Sequence, residues 1–88
     1  MLKITPLRMT QDELVLGLEG KLIGAWVDEL RGAVSNSSVK ARNIQFDLSR
    51  VSYVDSTGQQ LLKDLVHQGV VMHRATPFVK EMLREELS

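Results

Sequence analysis

The sequence contains no cysteine, which excludes disulfides, thiolate catalysis and Cys-ligated zinc. Aromatic residues are scarce: two Phe, one Trp and one Tyr among 88 residues. No basic patch with interleaved aromatics appears, so nucleic acid is not an expected partner. Neither sign of charge is in excess, with 11 Lys and Arg against 11 Asp and Glu. No long-range field therefore draws the chain to nucleic acid or to an anionic membrane. The longest apolar runs are a few residues, against roughly 20 for a spanning helix, so no direct membrane insertion is expected. Met1 to Pro6 carry no apolar stretch of signal-peptide length, and a cytoplasmic location is expected. What is present is ordinary globular material, 43% hydrophobic and 25% charged. At this length the chain is expected to form one domain, residues 1–88, with no room for a two-domain enzyme.

The hydrophobic period switches between two and 3.6 along the chain, as in an α/β arrangement. Leu2, Ile4 and Leu7 open a short strand that Pro6 confines to a sheet edge. Gln11-Asp12 reads as a turn. Leu14, Leu16 and Leu18 alternate as a strand that Gly20 ends. A helix is predicted over about 25–34, with Trp26, Val27, Leu30, Ala33 and Val34 on its apolar side and Ser35 to Ser38 terminating it. Trp26 beside that stripe reads as core rim. Ile44, Phe46 and Leu48 form a second alternating strand, and the apolar segment from Val51 to Val54 leads into Asp55-Ser56-Thr57-Gly58. The next helix is predicted over about 57–68 with Leu61, Leu62, Leu65 and Val66 inward, and Gly69 in the left-handed position that closes it. Val70 to Met72 reads as a short buried strand. Thr76 and Pro77 start a last helix as N-cap and first residue, with Phe78/Met82 and Val79/Leu83/Leu87 as apolar ridges. The order β-β-α-β-α-β-α gives a small α/β domain. Its sheet is mixed, with parallel core strands, right-handed crossovers and helices packed on it.

Ligands and partners of such sheets meet the carboxyl ends of the parallel strands. Asp55-Ser56-Thr57-Gly58 lies there, between a strand and a helix N-terminus. Ser56 followed by Gln59 fits a capping box, and Asp55 is the alternative cap. The plain reading is that Ser56 is only a cap. The sharper one makes it a phosphoacceptor, since a phosphate of roughly −1.5 to −2 charge is tolerated by a helix N-terminus but not under a docked partner.

The run Phe46-Asp47-Leu48-Ser49-Arg50-Val51-Ser52-Tyr53-Val54-Asp55-Ser56-Thr57-Gly58 resembles the hallmark of the STAS domain family, best known as anti-sigma factor antagonists. Leu18-Glu19-Gly20-Lys21-Leu22 is similar to the segment that precedes it in that family. The resemblance implies a STAS-like fold in a short variant lacking the family's last strand and helix. It also implies that Ser56 is phosphorylated by a partner that is both anti-sigma factor and ATPase-type serine kinase. Unmodified, the chain would bind that partner; phosphorylated, it would let go. Asp55, Thr57 and Gly58 would shape the loop, with Lys21, Ile23, Gly24, Gln59 and Gln60 as the surrounding contact surface. The family usually carries Asp where Ile23 stands, and an apolar residue then Gly where Gln59 and Gln60 stand.

Two other functions compete. One is a constitutive STAS subunit of a larger assembly, such as a lipid-transport ABC system or a stress-signalling complex. The other is a small nucleotide-binding or hydrolytic protein using the 55–58 loop. No cofactor or metal is called for: His67 and His73 lack a third ligand at recognisable spacing. For a hydrolase, His67 is about 16 Å from Ser56 along one helix at ~1.5 Å per residue. His73 could approach, but there is no Gly-x-Ser-x-Gly elbow. The chain is thus expected not to be an enzyme. Val70 to Met72 is the candidate edge for pairing in a homodimer.

Overall fold

The computed structural model describes residues 1–84. Two strands open the chain, β1 (Leu2–Met9) and β2 (Leu14–Leu22). Then follow α1 (Ala25–Ser35), a single 3-10 turn at Ala41–Asn43, β3 (Ile44–Val54), α2 (Ser56–Gln68), β4 (Val71–His73) and α3 (Pro77–Met82). The sheet runs β1-β2-β3-β4, with β1 antiparallel to β2 and the other neighbours parallel. This is the mixed sheet and element order that the sequence predicts. The proposed place of Leu87 on the last helix lies outside the described residues.

Both parallel connections step the same way across the sheet. Right-handed crossovers then put α1 and α2 on one face, where they pack against each other. The alternation in the strands follows from this. Leu14, Leu16, Leu18 and Leu22 of β2, and Ile44, Phe46, Leu48, Val51 and Val54 of β3, are buried under the helices with Val27, Leu30, Leu61, Leu62 and Leu65. Val79 and Leu83 from the last helical segment join the same core. No polar side chain among the described residues is buried. Trp26 packs half-buried against the core as a rim residue.

Several boundaries differ from the sequence reading, each for a local reason. Gly20 does not end β2. It sits inside it at φ +103°, and a Cβ there would lie 2.5 Å from the Met1 carbonyl oxygen. Its left-handed backbone absorbs an irregularity in the ladder, and the strand continues to Leu22. Ile44–Leu48 and Val51–Val54 are one strand rather than a strand and a leader. Two register shifts against β2 place Ser49-Arg50 and Ser52-Tyr53 outward while the apolar residues stay inside. The segment expected as a buried strand is only three residues long and stands at the sheet margin, with Val71 42% exposed; Val70, just before it, is the buried residue. Pro6 does sit in the edge strand, next to a register shift.

Candidate functional site

The parallel strands β2 and β3 end side by side, so the loops that follow them meet. Leu22 pairs with Val54 in the ladder. The Asp55 N–H then donates to the Leu22 carbonyl at 3.2 Å, extending the pairing one residue past the strands. From there the Asp55 carboxylate reaches in two directions. Oδ1 accepts the Gly58 N–H at 2.7 Å and caps α2. Oδ2 accepts the Gly24 N–H at 3.0 Å and holds the start of α1, which has no side-chain cap of its own. These bonds, Gly58 first and Gly24 second, hold the Asp55 carboxyl below its ordinary range against a smaller opposing effect of desolvation.

Asp55, not Ser56, is therefore the N-cap, and the Ser56–Gln59 capping box is not formed. Adjacent Asp and Ser offered two registers for the same cap. Asp55 fills it because its two oxygens satisfy two loops at once. Gln59, free of that duty, is half-buried and donates from Nε2 to the Met82 carbonyl at 3.3 Å, tying α2 to α3.

Ser56 is the first residue of α2 and is exposed. Among the described residues its hydroxyl has no hydrogen-bond partner. Thr57 beside it is also exposed, while Gly58 is buried. A Cβ on Gly58 would lie 2.6 Å from the Leu22 oxygen and 2.9 Å from Val54 Cγ1. Glycine is what lets the first turn of α2 come down onto the end of the sheet. Gly24 is exposed at φ +54° with open space around it. Ile23 is half-buried and Lys21 exposed. Gln60 points along its own helix, donating to Asp64 Oδ1 at 2.9 Å. The structure thus gathers Ile23, Gly24, Asp55, Ser56, Thr57 and Gly58 at one point, and turns Gln59 and Gln60 away toward α3 and Asp64.

The profile of the STAS_2 family, described as "Mlab, STAS domain", matches residues 6–85. The chain belongs to the STAS domain family. Among solved structures, the anti-sigma factor antagonist SpoIIAA in its unphosphorylated form is similar, with a TM-score of 0.77 at 19% identity. That match covers 94% of this chain and 79% of SpoIIAA. The STAS domain of an antisigma-factor antagonist from Rhodobacter sphaeroides matches with a TM-score of 0.58 at 20% identity, over 86% of this chain and 92% of that one. At these identities the likeness is one of fold. No curated protein matches the sequence.

Elsewhere, His67 and His73 are both exposed, and no three His, Asp or Glu among the described residues come together as metal ligands. No described helix is long and apolar enough to cross a membrane. One feature of this end of the sheet carried no signal in the residue spacing. Tyr53 stacks on Phe78 of α3, ring centroids 5.8 Å apart and planes 18° from parallel. Tyr53 stood inside the family motif and Phe78 read as an inward ridge. The outward turn of Tyr53 follows from the ladder irregularity at Ser52, which simple alternation does not reveal.

Proposed function

We propose that this STAS domain is a cytoplasmic, non-catalytic docking module of the anti-sigma factor antagonist kind, with Ser56 as its phosphorylation switch. Its partner would be an anti-sigma factor that is also an ATPase-type serine kinase. The observation that carries the reading is the exposed, unengaged Ser56 hydroxyl on the first turn of a helix whose start is already fixed by Asp55. A phosphate added there brings roughly −1.5 to −2 charge to a helix N-terminus, which accommodates it. Asp55, its carboxylate held by backbone N–H groups, has no need to move. The cost therefore falls on a docked partner, and each 1.4 kcal/mol of it is tenfold in affinity. SpoIIAA, solved in its unphosphorylated form, supports the reading as a protein of this fold for which phosphorylation defines a state.

The test is a pull-down from the source cell with wild type, Ser56→Ala and Ser56→Asp, followed by titration of the purified partner. The expected result is that Ser56→Ala binds and Ser56→Asp does not. Equal binding by all three overturns the switch.

A second reading, a constitutive subunit of a lipid-transport ABC system or a stress-signalling complex, is favoured by Ile23. An apolar, half-buried side chain stands beside the loop where the family usually places an acid. A transporter ATPase as partner, bound equally by Ser56→Asp, would select it. Saturable ATP binding or turnover without any kinase, lost in Ser56→Ala, would instead make the loop a nucleotide site.

A further inference from the structure

The domain has four aromatic side chains. Phe46 is fully buried and Trp26 half-buried; the other two, Tyr53 and Phe78, lie outside the core and stack on each other. They are 48% and 45% exposed. Their offset stack is one of the favoured geometries for aromatic rings. Each ring is carried on backbone beside a fully or nearly fully buried residue. Tyr53 is one residue from buried Val54 in β3. Phe78 precedes Val79, which is fully buried, in a helix capped by Thr76 and tied to α2 through Gln59. Apolar surface that is both exposed and carried on packed backbone is what interface anchors are made of, because little side-chain freedom is lost on binding.

The remaining exposed large apolar residues divide between the two ends of the sheet. Met1 lies beside Lys21, whose N–H donates to the Met1 carbonyl at 2.8 Å, at the same end as Tyr53 and Ser56. Leu7, Met9 and Val71 lie at the opposite end, near Leu16, Leu14 and Gln45. Lys21 is the ladder partner of Tyr53, is exposed, and faces no carboxylate within ion-pair distance among the described residues. Glu19, two residues before Lys21, is already engaged with Arg50, and Asp55, two residues after Tyr53, with the backbone.

We propose that Tyr53 and Phe78, with Lys21 beside them, anchor the docking face. They would receive an apolar side chain flanked by a carboxylate on a protein partner. The inference rests on the docking reading above and names the chemistry of what docks. Lys21, the ladder partner of Tyr53, sets one cation directly beside the ring pair, which suits an apolar side chain with a carboxylate next to it; a polyanion needs several cations in a row. It also explains why charge at Ser56 would matter: a phosphate on the same end of the sheet repels the carboxylate that Lys21 attracts.

The experiment places a photo-reactive benzoylphenylalanine at position 53, 78 or 9 of the full chain in the source cell. Adducts with the same protein from 53 and 78, and none from 9, are expected. No adduct, an equal adduct from 9, or an adduct only with a second copy of this chain overturns the proposal. The captured protein is then purified and titrated. Phe78→Ala should weaken binding about tenfold or more. Phe78→Leu and Tyr53→Phe should retain most of it, and Lys21→Glu should weaken it most at low salt. Circular dichroism melts check that each variant is folded. If Phe78→Ala and Lys21→Glu bind like wild type while Ser56→Asp does not, this anchor is wrong and the switch stands. If the ring variants fail to bind and Ser56→Asp binds normally, the switch is wrong and the anchor stands.

Discussion

The two loops at the carboxyl end of the sheet do the same job by different means. After β3 the chain caps its own helix: Asp55 supplies Oδ1 to the Gly58 N–H, and α2 starts without outside help. After β2 the chain brings only Gly24, with no side chain to cap α1, and the Gly24 N–H itself is held by Oδ2 of Asp55, 31 residues away. One loop is self-sufficient and the other dependent. Whatever disturbs Asp55 therefore reaches both helices, whereas a change at Gly24 stays at α1. A surface assembled from two loops keeps its shape only if something couples them, and here a single carboxylate does so.

Four substitutions break or sharpen that contrast. The largest effect is expected from Gly58→Ala. The new methyl has no room against the Leu22 oxygen and Val54, so α2 must back away from the strand end at a cost of about 1–3 kcal/mol in urea unfolding. Because Leu22 also accepts the Asp55 N–H, amide exchange should quicken in both loops. Gly24→Ala comes next. There is space for the methyl but the backbone is left-handed at φ +54°, and about 1–2 kcal/mol is expected, with faster exchange confined to the start of α1. The third, Asp55→Asn, keeps the shape and removes the charge. The folded pKa of Asp55 lies below the unfolded value of about 3.9. Its contribution is thus fully present above that value and is lost as pH falls through the folded one. Wild type should exceed the variant in stability at neutral pH, and the gap should close on acidification. Asp47, lowered by its bonds to Ser49, keeps its own dependence of the same sign in both proteins. A gap that does not change with pH would mean that folding does not lower the Asp55 pKa. Ser56→Ala should be the smallest, within about 0.5 kcal/mol, because the hydroxyl is exposed and unengaged; a greater loss would mean it braces the loop.

The fold was legible where one side chain has one task. Leu14, Leu16 and Leu18, and Ile44, Phe46 and Leu48, alternate because a single face of the sheet is covered, and all six are buried. Thr76-Pro77 and Gly69 mark helix ends by local backbone chemistry, and both marks hold: Thr76 accepts the Val79 N–H, and Gly69 lies at φ +112°. Legibility failed where a residue acts across the chain. Gly20 looks like a terminator, yet its conformation answers to Met1 on the neighbouring strand. The bond from Gly24 to Asp55 joins two segments that the family resemblance sets side by side but that no local spacing pairs. Phe78 follows a helical apolar period that predicts burial, but α3 straddles the margin of the core, and only Val79 of its N-terminal turn turns inward. In the site itself, Asp55-Ser56-Thr57-Gly58 was recognisable as a strand-to-helix loop. Which of its members caps the helix was settled by the second loop.

The margins of the sheet set a limit on how copies of this domain could join. At β1 the rail of peptide groups is interrupted by Pro6, which has no N–H to offer, and by the register shift that follows it. At β4 the rail is three residues long. Among the described residues, each margin therefore offers an incoming strand only a short run of consecutive peptide groups.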